Sequence, residues 1–286
     1  MATITMLHPG AMGAAVAGLL VEAGHDVRWA GDGRSQATRN RAIAAGLDDH
    51  ASIAAAIAGA DVVISLCPPS AALAVADHVA AAGFAGCYVD ANAVRPSTAR
   101  AIAAMFDDVV DGSVIGGPPV HGDDHPTRLY LSGPSAPDVA ALFDDDALEV
   151  MVMAGAPVGS ASAVKVGFAG WTKGTAALLL ALRAMARAEG VEDEVLAEWR
   201  RSIPGIAQRT ERVGPVAAKA WRFEGELREL GAAMAANGLP DGFHLAAADV
   251  YHALADLRHA SDPTVDDVLG RLAGRPPPDQ GAPGTG

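Results

Sequence analysis

Short apolar runs alternate with alanine-rich stretches of helical length along the first half of the chain. Ile4 to Leu7 reads as a strand, His8-Pro9-Gly10-Ala11-Met12-Gly13 as a turn, and the apolar stretch up to Gly24 as a helix. His25 to Trp29, Asp61 to Cys67, Gly86 to Asp90 and Val109 to Asp111 are further strands, the second of these closed by Pro68-Pro69. Pro96-Ser97 opens a helix at the position where proline is tolerated. Arg128 to Ser132 and Leu148 to Val152 add two strands around a helix near Pro137 to Phe143. Such alternation predicts an α/β, doubly wound parallel sheet whose ligand lies at the carboxyl ends of its strands. The Gly10 turn, Pro68-Pro69, Asn92 and Gly116-Gly117 all fall there.

The pattern changes near residue 159. Ser160 to Glu189 is about thirty residues without proline, crowded with Ala and Leu, which at about 1.5 Å per residue spans about 45 Å. Helical stretches follow at 192–201, 226–237, 243–259 and 264–273, the second closed by Asn237-Gly238. The expected organisation is a Rossmann domain at 1–158 and an all-helical domain at 159–274 entered through the long helix. A proline- and glycine-rich tail at 275–286 is expected to be disordered. A helix apolar over most of its circumference needs other helices to cover it, and a second copy in a homodimer is the expected cover.

Composition narrows the function. Half of the 286 residues are hydrophobic, and 34 acidic side chains outnumber 21 basic ones. That balance disfavours nucleic acid and anionic lipid as partners and favours a small-molecule substrate. Cys67 and Cys87 are too few for a disulfide framework, and the start lacks a signal pattern, so a cytoplasmic location is expected.

The candidate chemistry begins at the first turn. A dinucleotide site needs Gly10 where backbone approaches a pyrophosphate, Gly13 where helix packs on strand, and the free helix N-terminus at Ala11 and Met12 to meet negative charge. His8 departs from the usual three-glycine fingerprint. At the end of the second strand Asp32 could hold a ribose hydroxyl, but Arg34 and Ser35, with Thr38, Arg39 and Arg41, make the better phosphate cluster. NADP is therefore the expected cofactor, with NAD the alternative. His121-Gly122-Asp123-Asp124-His125 reads as a solvated turn and not a metal site, with His121 a candidate substrate contact.

Gly10-Ala11-Met12-Gly13, Asp90-Ala91-Asn92, Asp111 through Gly117 and Gly159 through Lys165 stand in the order of the β-hydroxyacid and 6-phosphogluconate dehydrogenase superfamily, which the chain resembles over roughly residues 3 to 270. Gly33-Arg34-Ser35, Gly116-Gly117-Pro118-Pro119 and Trp171-Thr172-Lys173-Gly174 are similar to a phosphogluconate-dehydrogenase-like branch of it. The resemblance implies that Lys165 exchanges a proton with the substrate while hydride moves to or from the nicotinamide. It also implies that Asn92 lies near the nicotinamide ribose and that Gly116 and Gly117 offer amides to the substrate, in a site between domains closed by a partner's helices. A lysine with a lowered pKa can act as acid or base near neutral pH.

Two positions depart from the family. Its asparagine four residues after the lysine is Ala169, for which Thr172 on nearly the same helix face is a candidate substitute, and its substrate-anchoring serine is Ile115. The expected activity is an NADP-dependent oxidoreductase acting on a hydroxyl or carbonyl carbon of a small substrate related to hydroxy acids. The alternatives are imine reduction on the same architecture and a non-catalytic NADP-binding or sensing protein.

Overall fold

The computed structural model describes residues 1–210, 219–260 and 263–273, and the tail expected from Arg275 lies outside the described residues. Eight strands form one sheet: β1 (Thr3–Leu7), β2 (Asp26–Ala30), β3 (Asp48–His50), β4 (Val62–Ser65), β5 (Cys87–Asp90), β6 (Val109–Ile115), β7 (Thr127–Ser132) and β8 (Leu148–Val152). Their spatial order is β3-β2-β1-β4-β5-β6-β7-β8. Between them lie α1 (Ala11–Glu22), α2 (Gln36–Ala44), α3 (Ile53–Ile57), α4 (Ala72–Ala81), α5 (Pro96–Ala103) and α6 (Ala136–Ala140). Strands β4 and β6 are buried at every residue, as central strands covered on both faces must be. Side chains alternate between two cores: Ile4, Met6, Ile64 and Val89 belong to one, and Leu7, Val63 and Tyr88 to the other.

Strands β1 to β6 pair in parallel, whereas β7 runs antiparallel to β6 and carries β8 with it. The parallel, doubly wound sheet expected from the sequence holds for β1 to β6 and is corrected at β7. A parallel return needs a crossover, usually a helix, and residues 116–126 between β6 and β7 form none. The polar edge strand β3 was also not expected. Asp48 and Asp49 are exposed, and the strand carries no apolar run to announce it.

The long helix is α7 (Ser160–Ala188), followed by α8 (Glu192–Ser202), α9 (Pro204–Thr210), α10 (Ala220–Ala236), α11 (Gly242–His252), a 3-10 turn (Ala255–His259) and α12 (Val265–Ala273). The stretch expected as one helix over 243–259 is thus divided after His252. The chain separates into two compact units, 1–168 and 169–286, so the first turns of α7 go with the sheet. In the second unit Leu180, Leu227, Leu254 and Tyr251 are fully buried, and Tyr251 Oη donates to the Lys173 carbonyl at 2.9 Å. Glu192, in the first turn of α8, accepts from Arg183 (2.7 Å) and Arg187 (2.5 Å). Among the described residues no helix is long and apolar enough to cross a membrane.

Candidate functional site

Strand β1 ends at Leu7 and the chain turns at His8, the one described non-glycine residue with a left-handed backbone (φ 66°). That conformation costs an L-residue about 1–2 kcal/mol. The Gly10 amide donates to the His8 carbonyl at 2.7 Å, and Gly10 then caps α1 without a side-chain hydrogen bond. A Cβ on Gly13 would come within 2.8 Å of the His8 carbonyl oxygen, so only glycine fits there. The first turn of α1, Ala11 and Met12 included, has no acidic residue, and its amides are available to an anion. Burial, followed by the charge of Arg34, pushes the His8 imidazole down to about 4.

The arginines after β2 separate into different tasks. Arg39 is held by Asp49 at 3.0 Å and by the Gly31 carbonyl, with its guanidinium 5.9 Å from the Trp29 ring. Arg41 donates to the Pro9 carbonyl at 3.4 Å and to Thr38 Oγ1 at 3.1 Å, bracing the turn from outside. Ser35 caps α2 by accepting from the Thr38 amide at 3.3 Å. Arg34 differs from the other two: its Nε is buried without a hydrogen-bond partner, and its charge acts on both His8 and Cys67. Asp32 is exposed.

Asn92 sits at the carboxyl end of β5 and is only 1 % exposed. Its Oδ1 accepts from the Cys67 amide at 2.6 Å, and its Nδ2 donates to Ser65 Oγ at 3.0 Å and to Asp90. The donors of this side chain are therefore spent on locking the ends of β4 and β5 together. Asp90 beneath it has its carboxyl pushed up to about 7, chiefly by burial and further by Asp111, against the hydrogen bonds from Asn92 that favour its charge.

Strand β6 organises the third part of the site. Asp111 is completely buried, and its carboxylate accepts from the Gly159 amide (2.9 Å), the Ser162 amide (3.0 Å), Ser162 Oγ (2.6 Å) and Ser132 Oγ (3.1 Å). Ser132 in turn accepts from the Ala161 amide at 3.1 Å. These bonds satisfy the N-terminal amides of α7, and the negative charge meets the positive end of its dipole. Three residues further along the same strand, the Val114 carbonyl accepts from Lys165 Nζ at 2.6 Å. Gly116 follows with a φ of 134°, where a Cβ would meet Thr127 at 2.9 Å, and the Gly117 carbonyl accepts from Thr127 Oγ1 at 2.6 Å. Lys165, Gly116 and Gly117 are thus brought to one strand end. An amino group fixed to the strand two residues before these glycines can exchange a proton with a bound oxygen.

The remaining candidates are placed as follows. Thr172 is half-buried on α7 in the second unit, Ala169 is buried, and Ile115 is only 4 % exposed. His121 does not join Lys165. Its ring lies against Glu22 at 3.2 Å and Asp145 at 3.4 Å, and Glu22 ends α1, whereas the glycine turn begins it. At about 1.5 Å per residue, the two ends of α1 are about 16 Å apart. Glu22, His121 and Asp145 have ligand atoms within 4.8 Å of one another and lie at the surface, with Glu22 and His121 exposed. Asp111 and Ser132 went unrecognised as site residues in the sequence. The available signal was an ionisable residue followed by glycine and serine between the apolar pairs Val109-Val110 and Val114-Ile115.

Residues 3–118 match the NAD-binding domain of 6-phosphogluconate dehydrogenase, and residues 186–254 match a domain of unknown function, DUF1932. Over residues 3–118 the chain is thus similar to the NAD-binding domain of 6-phosphogluconate dehydrogenase, and its fold is that of 3-hydroxyacid dehydrogenase-like proteins. The matched segment runs from β1 through β6 and includes the glycine turn, so the part of the sheet it covers is an NAD(P)-binding domain. A solved structure of the conserved protein MTH1747, of unknown function and similar to 3-hydroxyacid dehydrogenases, is 25 % identical. It covers 89 % of this chain and 97 % of its own, with a TM-score of 0.70. A 3-hydroxyisobutyrate dehydrogenase from Mycobacterium tuberculosis shares the fold at 21 % identity, with 95 % and 99 % coverage and a TM-score of 0.73. A reductive aminase from Aspergillus terreus, solved with NADPH, shares it at 21 % identity, 94 % and 99 % coverage and a TM-score of 0.53. No curated protein matches the chain.

Proposed function

We propose that this protein is an NADP-dependent oxidoreductase acting on a hydroxyl or carbonyl carbon of a small substrate related to hydroxy acids, with Lys165 as its acid/base. The observation that carries the reading is the placement of Lys165 Nζ on the Val114 carbonyl, two residues before Gly116-Gly117, on a helix whose start is clamped by the same strand. The residues present fit a dinucleotide: a Cβ would close the space at Gly13, the α1 amides have no acidic neighbour in the first turn, and His8 and Arg34 each hold a buried nitrogen without a partner. When bound, the nicotinamide supplies hydride transfer to or from a substrate carbon. The Gly10 turn and the α1 amides hold the pyrophosphate, Arg34 reads the ribose phosphate, and Asn92 positions the β4 and β5 ends around the cofactor. Lys165 gives a proton to the carbonyl oxygen in reduction or takes it from the hydroxyl in oxidation.

The test is turnover of a panel of hydroxy acids, ketones and imines, read by NADPH absorbance, with wild type and Lys165→Met. The reading expects a fall of about 10²–10⁴-fold with NADPH affinity retained. Ala169 and Ile115, standing where the family has Asn and Ser, favour a second reading, a protein that binds NADP without turnover. Tight NADPH binding with no Lys165-dependent reaction on any substrate would make that second reading the better one.

The chain is also proposed to act as a homodimer. Trp171, Leu178 and Met185 recur every seven residues on α7 and are 64 %, 43 % and 55 % exposed, which makes an apolar seam on one helix. Light scattering should give twice the chain mass, and Leu178→Asp should reduce it to one.

A further inference from the structure

His8 and Arg34 stand out from the rest of the dinucleotide turn. Glycine would adopt the left-handed conformation at position 8 without strain, yet a ring is placed there. Its Nδ1 is buried without a hydrogen-bond partner, and so is the Nε of Arg34 beside it. Buried nitrogens left unpaired on two neighbouring side chains are unfavourable unless some state of the protein satisfies both. The charged groups around the turn that bear on it are Arg34 from the loop after β2, which opposes a charge on His8, and Arg41 from α2, which reaches the Pro9 carbonyl. Cys67 at the end of β4 also faces Arg34, and the positive end of α1 starts at Ala11. A metal ion is disfavoured by this cationic setting. An anion with several acceptor oxygens matches it, whereas a ribose hydroxyl brings no negative charge to meet the guanidinium.

We propose that His8 and Arg34 form a single clamp for the phosphomonoester on the adenosine ribose of NADP, and that His8 takes up a proton as that phosphate binds. This rests on the NADP reading above and adds His8 as the residue that makes the choice over NAD. In the free protein burial first, and then the Arg34 charge, hold the imidazole neutral against a weaker opposing contribution from the Leu7 backbone. A phosphate dianion between the two groups neutralises the guanidinium and favours imidazolium, which then donates from the nitrogen that lacked a partner.

The probes are 2′,5′-ADP, which carries the ribose 2′-phosphate, and 5′-AMP, which lacks it. Both are titrated calorimetrically near neutral pH in two buffers of different ionisation enthalpy, so that proton uptake is read apart from affinity and without turnover. Wild type should prefer 2′,5′-ADP and take up protons on binding it. The ligand's own phosphate, whose second pKa is about 6, would release protons in a cationic site, so the sign separates the two sources. His8→Gly, which restores the usual turn residue, should weaken 2′,5′-ADP about tenfold and leave 5′-AMP within about twofold. His8→Asn tolerates the same backbone and cannot titrate, so it should keep part of the affinity and lose the proton uptake. An unchanged preference in His8→Gly, or uptake that persists in His8→Asn, overturns the clamp. If Arg34→Ala still abolishes the preference in that case, the NADP reading stands without His8. If wild type binds neither NADPH nor NADH, the cofactor reading falls and the clamp with it.

Discussion

In residues 1–168 the polar side chains at the carboxyl edge of the sheet are sealed from water: Asp90, Asn92, Asp111 and Ser132 are each at most 1 % exposed. From Ala169 onward the balance is reversed. There Trp171, Trp221 and Phe243 are 64 %, 51 % and 54 % exposed, while charged groups such as Arg228, Glu224 and Asp249 pair near the surface. The two regions use the same alanine-rich composition for different ends. A sealed polar network fixes a geometry, because each buried group is costly unless its partners stay in place. Large exposed apolar side chains fix nothing by themselves and mark surface that association can cover. The chemistry is therefore expected to be set by the first unit and the assembly by the second.

The strongest way to break this contrast is Asp111→Ala, which strips the acceptor from four donors at the start of α7. A loss of about 3–5 kcal/mol in unfolding free energy is expected by denaturant titration, together with lost turnover because Lys165 follows that helix start. In the second unit, Glu192→Ala removes a carboxylate shared by Arg183, whose side chain is 8 % exposed, and Arg187. About 2–3 kcal/mol is expected, with the sheet unit's cofactor affinity unchanged. If that substitution instead abolished cofactor binding, the separation of roles would fail. The finest test concerns Asp90, whose carboxyl rises from 3.8 to about 7 on folding. The folded protein holds this proton where the unfolded chain has lost it, so stability should decline as pH rises from about 4 to about 7 and level off above. Asp90→Asn should flatten that part of a stability-against-pH curve.

How much of this was legible in the chain follows the same division. The strands of the sheet core announce themselves as short, mostly apolar runs, and the Gly10–Gly13 turn is visible because the close approach of the His8 carbonyl leaves no room for a Cβ at Gly13. The reversal of β7 was not legible. Only the missing helix between Ile115 and Thr127 signals it, and an irregular segment carries no periodicity to read. Lys165 could be found through its family resemblance, whereas Asp111 could not be assigned a task, since its four donors come from residues 132, 159 and 162, distant in sequence. The arginine cluster after β2 was read as one phosphate site, and the structure divides it, because the partners of Arg39 and Arg41 are an edge-strand acid and a turn carbonyl. His121 looked close to the substrate because it follows Gly116-Gly117, but the loop carries it to the far end of α1.

Strand β6 holds α7 at two points, Asp111 on its first turn and Val114 on Lys165, and this has a practical meaning for recombining relatives. A hybrid that takes its helical half from a protein of similar fold at residue 159 would ask a foreign helix to satisfy Asp111 and to present its lysine to Val114. Joining at 168/169 instead passes both attachments on intact, so the interchangeable module is the sheet with the first two turns of the helix already attached.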